Sequence, residues 1–412
     1  MAIIGGGLVG CFAAYFLRQR GHSVVVIEKG EACKAASGTN FGNLRLQGRH
    51  PAQFPLALRA QAIWEDLGNL SGEDCGILAS GHLYLALSAN EQPKLEEIAR
   101  EANAAGLPVD LLAGNAVRRR WPRLSNLVAA ASWSRRDAVA EPTQIGPVVA
   151  RLAVRAGAQL MERTKLTRVE PGAAGFTLST DRDLSITCGQ LINAAGAWGA
   201  EVAGACGEPV PLFAAGPPLF EVYPEHPWDG PSLAAIDGTV LLRPGLNGAA
   251  VTGTFPRVAA DLASGSAPVP PKRVGPALLR LQSVVAGLGA VKCGRVWSGV
   301  EGYLPDMLPV IDRSETMPGL VHAFGFSGHG FQLAPGVGAV LADLLATGVT
   351  ETPLEAFALA RFAGGGRVDE RLWREFDPEI VARFRTSIAQ SHAEPACGLR
   401  APRPGQRELK TT

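Results

Sequence analysis

Three glycine-rich stretches carry the residue types that could do chemistry here. The first, Gly5-Gly6-Gly7-Leu8-Val9-Gly10, fits G-x-G-x-x-G, with Glu28 standing 18 residues after Gly10. In that pattern Gly5 permits a tight turn and Gly7 lets backbone approach a pyrophosphate. Gly10 allows close packing of helix on strand, the helix N-terminus supplies positive dipole, and Glu28 accepts from a ribose hydroxyl. Six such residues alone are also what an ordinary turn needs. The context decides for a dinucleotide: a strand before, a helix after, a second strand, and an acid at its end. The second stretch is Ser37-Gly38-Thr39-Asn40-Phe41-Gly42-Asn43, small donors that could wrap a pyrophosphate and reach toward a bulky ring, or simply form a solvated loop. The third, Gly325-Phe326-Ser327-Gly328-His329-Gly330-Phe331-Gln332, opens a helix. Its backbone N–H groups suit negative charge developing on a ring. A plain turn is the alternative.

The elements that must position these stretches follow from hydrophobic periodicity and turn chemistry. Ala2–Ile4 reads as a buried strand, residues 11–20 as a helix ending at Gly21, and Ser23–Ile27 as a β-branched strand. Helices are predicted near 54–68, 90–105 and 143–156, with strands at 166–170, 184–188 and 190–193. The stretch 206–271 is rich in proline and glycine and holds a hairpin over 239–254 turning at Asn247-Gly248. Strand residues resume at 291–300, and a helix over about 334–346 follows the third glycine stretch. Gly364-Gly365-Gly366 reads as a hinge, residues 378–390 as one further helical segment, and the tail from Glu394 as mobile.

Composition excludes several classes. Lys+Arg 39 against Asp+Glu 38 leaves a formal charge of +1, so no broad basic field draws nucleic acid or an anionic membrane. The seven cysteines include no CxxC pair or zinc-like spacing, which points to reduced, mostly buried thiols in a cytoplasmic-type compartment. The sequence holds no uninterrupted apolar run of the roughly 18 residues that span a bilayer, and the glycine motif begins so early that no signal peptide is expected. Peripheral membrane association stays open.

Further segments join these motifs into a family pattern. Ile192-Asn193-Ala194-Ala195-Gly196-Ala197-Trp198 is a strand running into small residues, and Tyr303-Leu304-Pro305-Asp306 with Pro309-Val310-Ile311 is a turn and strand. Together with both glycine-rich ends, they resemble the D-amino-acid oxidase superfamily of FAD enzymes. The phrase Asn40-Phe41-Gly42-Asn43-Leu44-Arg45-Leu46-Gln47-Gly48-Arg49 is similar to the β-type catalytic subunits of opine and D-hydroxyproline dehydrogenases. The resemblance runs to about residue 362. It implies an α/β fold: a Rossmann-like FAD-binding domain of the glutathione-reductase βαβ type from 1–80, 140–210 and 293–362, and a second, mainly antiparallel-sheet α+β substrate domain from 81–139 and 211–292. Residues 363–412 form an extension that is partly mobile. Non-covalent FAD is implied, held by Gly5, Gly7, Leu8, Val9, Gly10, Glu28, Lys29, Ser37, Thr39, Asn40, Gly42, Asn43, Leu44, Val169, Ala194, Ala195, Gly196, Trp198, Gly328, Gly330, Phe331 and Gln332. His329, Arg45, Arg49 and Glu301 are the implied catalytic set.

The implied reaction oxidises the C–N bond of an opine or other secondary or D-amino acid by hydride transfer to the flavin, giving an imine that water hydrolyses. Some familiar anchors are replaced. Glycine oxidase-like enzymes carry a carboxylate-binding arginine where this chain has Glu301, and sarcosine oxidase-like enzymes a lysine where it has Gln332. Arg45, Arg49 and Arg243 are the candidates to hold the substrate acid instead. Glu301 either pairs with a cationic substrate arm or, less pointedly, with a nearby arginine. Gly299 replaces the cysteine that attaches flavin covalently, and Val251 the lysine that activates oxygen. Electrons are therefore expected to pass to a companion subunit or a quinone. A stand-alone oxidase releasing hydrogen peroxide and a flavin-holding subunit without its own activity are the alternatives, with a nicotinamide enzyme disfavoured.

Overall fold

The computed structural model describes residues 1–173, 175–363 and 366–393. Its organising element is a six-stranded sheet in the order Val310–Arg313, Leu320–Phe324, Leu191–Asn193, Ala2–Ile4, Val25–Ile27, Gln159–Met161. All neighbours run parallel except the antiparallel edge strand Val310–Arg313. Alternation along the first strand shows why it sits at the centre. Ile3 faces one cluster with Phe12, Val337 and Val340, while Ala2 and Ile4 face another with Phe176 and Leu178.

The first of those faces is covered by helices Leu8–Gln19, Phe54–Ser71, Pro142–Arg155 and Gly330–Thr347. Small residues bring them close: a Cβ on Gly338 would lie 2.6 Å from the Phe12 Cβ, and one on Gly336 2.8 Å from the Leu56 oxygen. Gly330–Thr347 is long and apolar enough to cross a membrane by length and composition, but most of it is buried inside the protein. It is a core helix, and its apolar character is explained by burial on all sides. The opposite face carries a meander of Leu166–Gly172, Gly175–Thr180 and Ser185–Cys188.

A second sheet has eight strands, in the order Val291–Trp297, Leu219–Pro224, Ala250–Gly253, Leu241–Pro244, Ser232–Ala235, His82–Ala86, Ala130–Ser134, Val109–Ala113. Only Ser232–Ala235 against His82–Ala86 is parallel. The hairpin turn falls at Asn247 and Gly248, whose φ of +54° and +79° are what a tight two-residue turn demands.

Several boundaries differ from the sequence expectation. The first helix begins at Leu8 rather than 11, and the last core helix at Gly330 rather than 334. In both cases glycines inside the first turn disguise the start. The strand Val291–Trp297 pairs with Leu219–Pro224 in the eight-stranded sheet, although the expected boundary placed residue 293 onward with the dinucleotide-binding part. The extension is not a loose tail over its described length. Leu372, Phe376, Ile380 and Phe384 are buried with Ala215, Tyr303 and Met307, and Pro378–Ala393 is a helix. The expected hinge residues Gly364 and Gly365, and the tail from Glu394, lie outside the described residues.

Candidate active site

Parallel strands place their following loops at one edge of a sheet, where open α/β sheets bind ligands. Here four strands deliver the candidates: Ala2–Ile4 leads to Gly5–Gly7, Val25–Ile27 to Glu28, Leu191–Asn193 to Ala194–Trp198, and Leu320–Phe324 to Gly325–His329. Segments more than 300 residues apart thus meet because the register aligns Ala2 with Leu191 and Leu191 with Leu320.

The glycine turn has the shape a dinucleotide requires. Gly5 has φ +101°, and a Cβ there would sit 2.4 Å from the Ala194 oxygen. A Cβ on Gly10 would fall 2.0 Å from the Gly5 oxygen. Gly7 precedes the helix in extended conformation and brings no side chain of its own to the helix N-terminus, a dipole end suited to phosphate. The Ser37 hydroxyl accepts from Leu8 N at 3.0 Å. Glu28 accepts from Gly6 N at 2.8 Å and Gly30 N at 2.7 Å, so its carboxylate is oriented by backbone and keeps lone pairs for hydroxyls. Leu8 is buried while Val9 keeps some exposure, so Leu8 could offer a ligand only its backbone.

Around this turn, Lys29 lies with Nζ 3.0 Å from the Trp198 ring centroid, and burial lowers its pKa. Val169 packs in the cluster that includes Ile27 and Ala195. Asn40 is spent on its own loop: its amide donates to Ala36 and Ser37 oxygens and its oxygen accepts from Gly42 N at 2.8 Å. Thr39 is held by Trp297, whose Nε1 donates to the Thr39 oxygen at 2.9 Å. Gly42 has φ +79° and a Cβ there would press on the Ala140 oxygen at 2.2 Å. Asn43 and Leu44 pair with Ala138–Val139; Leu44 is buried, and Asn43 Oδ1 is buried without a partner.

At the third stretch Gly328 (φ +82°) is exposed, His329 stands at the N-cap and Gly330 begins the helix. Phe331 and Gln332 turn into the core. Phe331 lies 5.5 Å from Trp64, and Gln332 Nε2 donates to the Ala57 oxygen at 2.9 Å. Any ligand contact from these two is limited to backbone. His329 Nδ1 has no partner. Burial, with Arg49 and Arg45 nearby, holds its pKa well below the usual histidine range, which favours the neutral ring.

The arginines separate cleanly. Arg243 donates to Phe41 and Pro244 oxygens and pairs with Glu141 at 3.0 Å; it is a strut joining the hairpin to the second glycine stretch, and the expectation of an anion anchor there is not met. Arg45 donates to the Gln47 oxygen and lies 5.3 Å from the Tyr84 ring. Arg49 is 3% exposed, donates to the Arg45 oxygen at 2.9 and 2.7 Å, and has no partner for Nη1. Burial and then Arg45 depress its pKa to about 9. Asp137 offsets this only in part and makes no ion pair with it; a buried guanidinium without a paired carboxylate is costly unless a ligand supplies one.

Sequence reasoning missed two groups. Asp137 is buried, accepts from Leu46 N at 2.9 Å, and is pushed up to about 6 by burial. Because the folded pKa lies above the unfolded one, its contribution to stability is full below about pH 4 and is lost as pH rises through about 6. Asp137→Asn should therefore gain on the wild type by on the order of 2–3 kcal/mol between pH 4 and 7 in urea unfolding; a stability difference constant across that range contradicts this. The other missed group joins Glu301, Tyr303, Arg257 and Glu375. Its partners are up to 118 positions apart, so no local spacing could reveal them.

A family model described as FAD dependent oxidoreductase matches residues 1–344. The chain belongs to that family of FAD-dependent oxidoreductases. Its relatives include the glycine oxidase of Geobacillus kaustophilus, 27% identical with 88% of this chain and 97% of that protein covered. One of the opine oxidase subunits of Rhizobium meliloti is 26% identical over the same shares. The crystal structure of glycine oxidase from Geobacillus kaustophilus superposes with a TM-score of 0.81 at 26% identity, covering 88% of this chain and 98% of that one. The oxidoreductase binds FAD, and the residues present fit it: a glycine turn packed too tightly for a Cβ at Gly5 or Gly10, a helix N-terminus whose N-cap is the bare Gly7, and an orphaned oxygen on Asn43.

Proposed function

We propose that this oxidoreductase is the catalytic unit of a dehydrogenase that oxidises the C–N bond of a secondary or D-amino acid of opine type. The observation that carries this reading is Arg49: buried, with Nη1 lacking a partner, beside a neutral His329 that is itself unpaired on Nδ1. A substrate carboxylate bound to Arg49 would satisfy the cation and orient the adjacent C–H. His329 would hold the amine in its neutral form by accepting or donating at Nδ1. When bound, FAD supplies the acceptor of two electrons as hydride, and the glycine turn and the Gly328–Gly330 backbone would hold it. The imine product hydrolyses in solution.

FAD is held non-covalently in this reading, since Gly299 offers no nucleophile. Val251 lies in the hairpin strand Ala250–Gly253, without the lysine charge that oxygen activation uses in the resembling oxidases. Electrons then leave to a companion subunit or a quinone, in a cytoplasmic setting. The Rhizobium relative is one subunit of an opine oxidase, which supports a multi-subunit arrangement. The glycine oxidase relative favours a second reading, a stand-alone oxidase. Turnover of the purified chain with an artificial quinone separates the two. Peroxide formed in air at less than a tenth of the quinone rate is the expected result. Peroxide matching amine consumption without quinone makes it an oxidase.

A further inference from the structure

The segment from Gly366 onward lies beyond the residues matched by the family model, yet it is built into the wall beside the third glycine stretch. Asp369 N donates to the Pro305 oxygen at 2.9 Å. The Phe376 ring meets Tyr303 edge-on at 4.9 Å and Phe213 at 5.2 Å. Residue 376 also bridges Arg257 backbone to backbone, and Asp377 pairs with Arg273.

These contacts fix one guanidinium. Arg257 Nη1 pairs with Glu375 at 2.7 Å, its Nε donates to the Tyr303 hydroxyl at 2.8 Å, and it packs against the Phe255, Tyr303 and Phe376 rings at 4.3–5.0 Å. Tyr303 in turn donates to Glu301 Oε2. Arg257 forms no ion pair with Glu301 within 4 Å, although a Cβ on Gly328 would lie 3.6 Å from Arg257 Nη2 and 3.8 Å from Glu301 Oε2. Glu301 keeps accessible surface, and its Oε1 makes no hydrogen bond among the described residues. The charges sum unevenly: one guanidinium serves two carboxylates, and Glu375 holds it by a direct pair. Glu301 is left with a neutral hydroxyl as its partner. An enclosed carboxylate in that condition attracts a cation. Gly328 lies between Glu301 and His329 in the chain's wall at this point, and His329 feels both Arg257 and Arg49, whose Nη1 is unpaired.

We propose that the C-terminal segment, by clamping Arg257 through Glu375, frees Glu301 to receive a guanidinium or ammonium arm of the substrate. The substrate would then be a secondary amino acid with its acid on Arg49 and a basic side arm on Glu301. This inference rests on the reaction proposed above and names its substrate class. Removing the clamp lets Arg257 turn to Glu301 and neutralise it, so Glu375 acts as a positioning residue.

Two probes of the same shape test it: N-(1-carboxyethyl)arginine and N-(1-carboxyethyl)citrulline, in which an uncharged urea replaces the guanidinium. Their Kd values are read from anaerobic reduction of the FAD-loaded enzyme. The wild type should favour the arginine derivative by about tenfold or more, the scale of a charge-assisted pair. Glu375→Gln should bring that ratio to within about twofold of unity. Glu301→Gln, which leaves the C-terminal segment untouched, should do the same and guards against a folding defect in the first variant. Equal affinities in the wild type, or a preference that survives in both variants, overturns the clamp. If neither amine reduces the flavin, the reaction itself is misassigned; reduction by both with equal affinity leaves the reaction standing and removes only the clamp.

Discussion

Gly10→Ala is expected to yield protein carrying less than about a tenth of the wild-type FAD, with its far-ultraviolet circular dichroism retained. A Cβ at this position would stand 2.0 Å from the Gly5 oxygen and 3.3 Å from Ile3 Cγ2. Neither neighbour can yield, because Gly5 N donates to the Ile27 oxygen at 2.9 Å and Ile3 sits in the centre of the sheet. The helix Leu8–Gln19 must therefore shift outward, taking with it the N-terminus that would receive the pyrophosphate. The remaining core of helices and strands still buries its apolar faces, so the loss falls on the cofactor rather than on folding. Absorbance at 450 nm relative to 280 nm checks this directly, and a variant with full flavin content refutes the role given to the turn.

Arg49→Met should act in opposite directions on binding and on stability. The guanidinium is 3% exposed and bonds a backbone carbonyl, and although Asp137 is near enough to raise its pKa, the two form no ion pair. An apolar side chain of similar length removes the cost of burying that charge, so the ligand-free variant should be more stable by about 1–3 kcal/mol. The same change deletes the anchor for the substrate acid. KM should rise about 100-fold, or about 2.7 kcal/mol, with FAD content unchanged. Arg49→Lys should recover only part of this, because a point charge cannot reproduce the fork geometry of a guanidinium. A variant that loses both stability and affinity would mean that Arg49 is structural.

Much of the nucleotide-binding half was legible because its signals are local. The run Ala2-Ile3-Ile4, the glycines and Glu28 each declare a backbone requirement within a few residues, and the third glycine stretch does the same before Gly330–Thr347. Asn247-Gly248 announced its hairpin for the same reason. The second sheet was harder to read. Its strands between Leu219 and Gly253 are short and interrupted by proline and glycine, and their partners are set by tertiary contact. The same limit hid the pairing of Arg243, whose partner Glu141 is 102 positions away. It also hid the burial of Leu372 and Phe376. Their segment is polar in composition, and it packs only because Phe213 and Tyr303 present aromatic faces to it. Gln332 read as a ligand-facing residue by its place in the loop, whereas the helical turn aims it at Ala57.

The proposed reaction requires that an amine bearing a carboxylate pass two electrons directly to FAD held by this chain. Anaerobic titration of the purified yellow protein with an N-carboxyalkyl amino acid measures that step without any external acceptor. The 450 nm band should bleach to completion, with one equivalent of oxo acid released per flavin. A band that stays unchanged at saturating concentrations of such amines, while dithionite bleaches it fully, would contradict the reaction.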